Sequence, residues 1–116
     1  MKVISYTEVE PHIFDSGVMR GVIGRVVIGK ADGAANFCMR VFELPKGTVS
    51  HFHTHAHEHE VFVHSGKGEI LCDGKWLPVE AGSVIFIPGN EAHQLRNNND
   101  GPLVFICLVP SGAPEM

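Results

Sequence analysis

Long apolar runs are missing from this sequence. No stretch approaches the roughly 20 residues a helix needs to cross a bilayer, and the opening residues Met1 to Tyr6 lack the apolar core of a secretory leader. Surplus basic charge is missing too. Nine Lys and Arg stand against 13 Asp and Glu, a formal net charge of −4. No basic face follows, so neither nucleic acid nor a membrane is an expected partner. Cysteine is scarce: Cys38, Cys72 and Cys107 are three in number and widely spaced. An odd count at such spacing argues against a disulfide framework and for free thiols in a reducing cytoplasm. There is also no long amphipathic helical pattern, internal repeat, interdomain linker or low-complexity tract.

What remains is a chain of short strands. Its 116 residues, 44% hydrophobic and 19% charged, suit one globular domain with a real core. Residues 20–29 read as a strand with a bulge at Gly24. Asn36 to Leu44 reads as a second, stopped by Pro45-Lys46-Gly47. Val61 to Val63 reads as another, ending at Gly66. Glu69 to Cys72 and Lys75 to Val79 flank Asp73-Gly74, a strong two-residue hairpin signal. Val84 to Ile87 is a buried strand stopped by Pro88-Gly89-Asn90. His93 to Arg96 is expected to pair across Asn97 to Gly101 with Leu103 to Val109. This rhythm predicts an all-β sandwich or closed barrel spanning 1–116. Its core is 19–110, with an N-terminal arm 1–18 and a tail 111–116.

Histidine is concentrated in one place. Five of eight fall at His51, His53, His55, His57 and His59. Alternate residues of a strand face the same way, so these imidazoles point into a shared space, and neutral imidazole is the commonest transition-metal ligand. The plainer alternative is a His-rich surface tract with loose metal affinity. One unbroken strand cannot deliver all five to one ion. At ~3.3 Å per residue, His53 and His59 would lie roughly 20 Å apart, against metal–nitrogen bonds near ~2 Å. If His59 or Glu60 is a ligand, the chain must turn within residues 56–58.

Two motifs then carry a family resemblance. The first reads Gly47, His53-Thr54-His55, His59 or Glu60, Val61 to Val63, and Gly66. The second reads Gly82, Pro88-Gly89-Asn90, His93 and Asn97. Together they resemble the cupins, small double-stranded β-helix barrels of the jelly-roll kind. Asn90 stands where a glycine is usual, and Asn is the next-best residue for a left-handed turn. Segments 20–22, 36–40 and 105–110 are similar to the small four-histidine, manganese-binding cupins.

The resemblance implies one divalent metal held by His53, His55, His59 and His93, with Glu60 as the alternative third ligand. The two choices put opposite faces of the next strand inside the barrel. With His59 inward, Val61 and Val63 follow, while Glu60 and His64 face out. With Glu60 inward, Phe62 and His64 are buried, and a buried histidine needs a partner. His59 is therefore favoured. By the same alternation His93 and Leu95 face in.

The remaining expectations follow from the same comparison. His51 is a rim residue, His57 lies solvated in the turn, and Asn97 pins a turn. Arg40, Phe105 and Cys107 match pocket-lining positions in the similar cupins. The alternatives are an ion pair of Arg40 with Glu43 or Asp15, and a plain role for Cys107 as a small core residue. Manganese is the metal the resemblance implies, whereas imidazole also suits iron, zinc, nickel and copper. The implied activity is that of a metal-dependent oxidoreductase, a dioxygenase acting on a small organic molecule. Isomerase or decarboxylase chemistry, or a non-catalytic module binding a small anion, are the alternatives. The arm is apolar enough to cover a partner's sheet edge, and related cupins suggest a homodimer.

Overall fold

The computed structural model describes residues 1–116. Nine strands form in chain order: β1 (His12–Ile13), β2 (Ile23–Ile28), β3 (Phe37–Leu44), β4 (His59–Ser65), β5 (Lys67–Cys72), β6 (Lys75–Glu80), β7 (Val84–Ile87), β8 (Gln94–Arg96) and β9 (Leu103–Pro110). The only helical elements are two short 3-10 turns, Tyr6–Glu8 and Lys30–Asp32. The strands make two antiparallel sheets, one ordered β1-β2-β3-β9-β4-β7 and the other β6-β5-β8. Their inner faces share one core that includes Leu44, Val63, Ile70, Leu95 and Leu103.

Alternation sets which residues point inward. On β4, His59, Val61 and Val63 are buried while Glu60, Phe62 and His64 are exposed. This is the register with His59 inward. On β3, Cys38, Arg40, Phe42 and Leu44 are buried on one face. Val41 lies on the other face, where it joins Val27 and Val104 in a smaller cluster roofed by Tyr6 and Val9. The hairpin at Asp73-Gly74 forms as expected, with Cys72 opposite Lys75 and both turn residues at positive φ.

Two strand expectations are corrected. First, β8 does not form a hairpin with β9. It pairs with β5 in the smaller sheet, while β9 lies between β3 and β4 in the larger. The polar stretch 97–101 therefore crosses between sheets. Asn97, fully buried, makes that crossing possible. Its Nδ2 donates to Leu44 O at 2.7 Å and Gly101 O at 2.9 Å, and its Oδ1 accepts from the Asn99 N–H at 2.8 Å.

Second, the irregularity in β2 falls between Val26 and Ile28, not at Gly24, which pairs regularly with His12 and Phe42. Gly24 is small for a different reason, described below. The arm contributes β1, which pairs with β2 at the edge of the larger sheet. Residues 111–116 pack back on the barrel, with Ala113 against the core.

Replacing Asn97 by alanine leaves two backbone carbonyls and one N–H without their partner in a buried crossing. Urea unfolding should show a loss of about 2–4 kcal/mol. Asn98→Ala, on the exposed side of the same loop, should stay within about 0.5 kcal/mol of the parent.

Candidate metal centre

Four imidazoles converge although they come from three segments. The stretch 47–53 runs antiparallel to β8, with Ser50 N–H donating to Leu95 O at 2.8 Å and Asn97 N–H to Thr48 O at 3.0 Å. It ends in a reciprocal backbone pair. His53 N–H donates to His93 O at 3.3 Å, and His93 N–H donates to His53 O at 3.2 Å. Directly paired residues project to the same side, so His53 and His93 share a space. His55 follows two residues on.

The chain then bends before β4, where the distance argument requires a turn. Asn90 N–H donates to His55 O at 2.7 Å, holding the bend against the second motif. A Cβ on Gly89 would sit 2.3 Å from Ala56 O, so only glycine permits this approach. Asn90 adopts φ 66, the left-handed conformation expected of it.

One ring nitrogen from each of His53, His55, His59 and His93 lies within 4.8 Å of the others. Two nitrogens ~2.1 Å from one ion on opposite sides lie ~4.2 Å apart, so the cluster must tighten by at least about half an ångström at its widest to hold one ion. The backbone already orients two rings. His55 Nδ1 donates to His57 O at 2.7 Å, and His93 Nδ1 to Glu91 O at 2.8 Å, leaving each Nε2 facing the cluster. His93 Nε2 is buried with no hydrogen-bond partner. A buried, orphaned acceptor aimed at three other imidazoles is what a metal-ligating nitrogen requires. The donor set fits a divalent transition ion.

Behind His59 lies a further pair. Its Nδ1 is 3.2 Å from Cys107 Sγ, and Arg40 Nη2 donates to the same sulfur at 3.1 Å. His59 Nε2 is 2.9 Å from His55 Nε2. A cation at the four nitrogens requires His59 to carry its proton on Nδ1, where Cys107 Sγ becomes the acceptor. Arg40 is buried, with its guanidinium 5.1 Å from the Phe42 ring centre and its Nε unpartnered. The ion pairs with Glu43 or Asp15 do not form, because inward-facing Arg40 is directed to Cys107. Burial and the Arg40 charge act oppositely on that thiol; burial prevails and raises its pKa.

The cluster opens on a cavity of about 400 Å³. The expected pocket residues Arg40, His51, Phe105 and Cys107 all line it, with His51 exposed at the rim. Cys107 is both core and pocket wall. Glu60 lies on the outward face of β4. His57, expected in solvent, is half-buried and stacks on His55, the ring centres 3.7 Å apart and the planes at 5°. Phe14, Met19, Phe42, Pro114 and Met116 also line the cavity and were not foreseen. Phe42 was accessible to reasoning, since it lies two residues from Arg40 on the same strand face. Nothing in the sequence marks Pro114 or Met116.

The cupin domain family, Cupin_2, matches residues 40–109, and the chain belongs to it. The polyketide cyclase RemF from Streptomyces resistomycificus is similar over 98% of this chain and 82% of its own, with a TM-score of 0.91 and 28% identity. A glucose-6-phosphate isomerase from Pyrococcus furiosus is 36% identical over 72 residues, 57% of this chain. The match spans only 38% of that isomerase's length. An L-ectoine synthase from Vibrio campbellii is 30% identical over 78 residues, 66% of this chain and 61% of the relative.

Burial is the largest influence on three of the four rings. It lowers His93, takes His53 from 6.5 to about 4 with help from neighbouring imidazoles, and takes His59 to about 3 with help from Arg40. An unfolded chain would take up these protons near 6.5, whereas the folded site resists until about 4 and 3. The unfolded state therefore binds more protons in that window, and stability falls as pH drops through it. Thermal melts of metal-free protein should hold steady above about pH 7 and decline progressively towards about pH 4.5. A flat profile would contradict the lowered pKa values of His53, His59 and His93.

Alanine at His59 should reduce affinity for added zinc by more than the roughly 10–100-fold attributed to outer partners of a metal site. Glu60→Ala should leave zinc affinity unchanged by calorimetry. The reverse result would place Glu60 at the ion.

Proposed function

We propose that the chain is a metal-dependent enzyme holding one divalent transition ion on His53, His55, His59 and His93. Its substrate is a small, enolisable organic molecule with an apolar body. The observation that carries this reading is the four-nitrogen cluster, with its orphaned His93 Nε2, opening directly on a 400 Å³ cavity. When bound, the ion would supply Lewis acidity at its open positions, polarising a substrate oxygen.

The remaining work falls to the chain. Phe42 and Phe105 lie 5.6 Å apart with their planes inclined at 30°, and offer a face to a planar or apolar substrate body. No carboxylate lines the cavity, so nothing offsets the charge of an ion on four neutral rings. Arg40 adds the cavity's one guanidinium, and both features favour an enolate or carboxylate oxygen. His51 and His57 are the lining imidazoles outside the ligand set, and so the side chains suited to move a proton. A single guanidinium among apolar walls gives little purchase on a sugar phosphate.

Two reaction classes fit an enolisable substrate. Dioxygenase chemistry is the one the four-histidine resemblance implies, with manganese or iron as the metal. Isomerisation or cyclisation without oxygen is supported by the likeness to a polyketide cyclase along almost the whole chain, and by the partial likeness to an isomerase. We favour the non-oxidative class on the strength of that likeness along almost the whole chain. The test loads the protein with manganese, iron or zinc and supplies a panel of aryl 1,3-diketones. Exchange of the α-proton for deuterium by NMR, without dioxygen uptake, is the expected result. Dioxygen uptake would return the oxygenase reading, and neither signal would leave a binding module.

A further inference from the structure

We propose that Met116 sets the length of substrate the cavity admits, and that Glu115 latches it in place. The proposal rests on reading the cavity as the substrate site and adds what limits it.

The exposed side chains among the lining residues fall in two places. His51, His53 and Thr54 form one edge, and Pro114 and Met116 the other. Met116 lines the cavity and is 41% exposed, so it stands at the cavity's solvent margin.

Specific contacts hold it there. After β9 the chain doubles back, with Ser111 N–H donating to Asn36 O at 2.9 Å and Ala113 N–H to Pro110 O at 3.2 Å. Glu115 Oε2 then accepts the Lys30 N–H at 2.8 Å. Two glycines provide the room. A Cβ on Gly29 would lie 2.6 Å from Glu115 Oε2, and a Cβ on Gly24 would lie 2.8 Å from Met116 Sδ and 3.1 Å from Phe42 Cε1. Thus the sites at which β2 and its exit lack a side chain are the sites these two adjacent residues occupy. Gly24 is buried, regularly paired and free of positive φ, so no backbone demand accounts for glycine there.

The chemistry suits a length gauge. Methionine is unbranched and adaptable, and it sits beside Phe42, on the apolar part of the wall. An apolar substrate tail running along Phe42 gains contact until it reaches the thioether. Beyond that point it must displace Met116 and the Glu115 latch behind it.

The test uses straight-chain alkyl hydroxamates, which bind a metal through two oxygens and carry a tail of adjustable length. Calorimetry on the zinc-loaded full chain should show affinity rising up to about fourfold per methylene and then levelling off. In Met116→Ala the rise should continue for about two further methylenes, giving roughly tenfold tighter binding of the longest probes, with short probes unchanged. Glu115→Ala should extend the limit in the same direction. It should also abolish protection of the Lys30 amide in hydrogen exchange. An unchanged length limit in both variants, with short probes still binding, would overturn the proposal. Failure of every hydroxamate to bind the zinc-loaded parent would instead sink the reading of the cavity on which it rests.

Discussion

Two backbone hydrogen bonds between His53 and His93 hold the site together. They join segments distant in sequence, and they do so at the two residues whose rings must meet. Everything else at the cluster follows from that registration. His55 lies two residues along. The bend beyond it is fixed by the Asn90 N–H and by the bare Cα of Gly89 against Ala56 O. Only then does β4 begin with His59 facing inward. A shift of one residue at this pairing would turn a ring out of the barrel, because the period of two allows no intermediate state.

The two sheets contribute differently. The larger supplies His59, Arg40 and Cys107, and the smaller leads directly out of His93 into Leu95. Asn97 ties the exit of β8 to the end of β3 through Leu44 O. The position of His93 relative to His59 is therefore set by a buried amide as much as by apolar packing. Burial, as the largest cause, lowers the pKa of three of the four rings. His53, His59 and His93 are thereby kept as neutral donors, and no acid among the lining side chains moderates a cation placed there.

Much of this was legible in the sequence for reasons of periodicity. Alternation along 59–64 settles which of His59 and Glu60 faces inward, because burying His64 would need a partner that the outer register avoids. The hairpin at Asp73-Gly74 and the left-handed Asn90 are local, and local chemistry determines them. What escaped reading depends on contacts across space. The partner of β8 is decided by Asn97, whose side-chain bonds reach 53 residues back to Leu44 and cannot be inferred from turn residues. Gly24 suggested a bulge, while a side chain there would meet Phe42 and Met116, 18 and 92 positions later. His57 was assigned to solvent because it falls in a turn, yet ring stacking on His55 draws it into the wall.

The stack between Arg96 and Trp76 has a separate consequence. The guanidinium carbon lies 3.7 Å from the centre of the only indole in the chain. That fluorophore sits on the outward side of the smaller sheet, away from the cavity, and shares a strand pair with neither Arg40 nor Phe105. Its emission is thus insensitive to direct quenching by a molecule in the cavity. It does report on the strand that leaves His93, three residues upstream of Arg96. Intrinsic fluorescence of this protein is therefore a gauge of how firmly β8 is seated, a mechanical signal and not an occupancy signal.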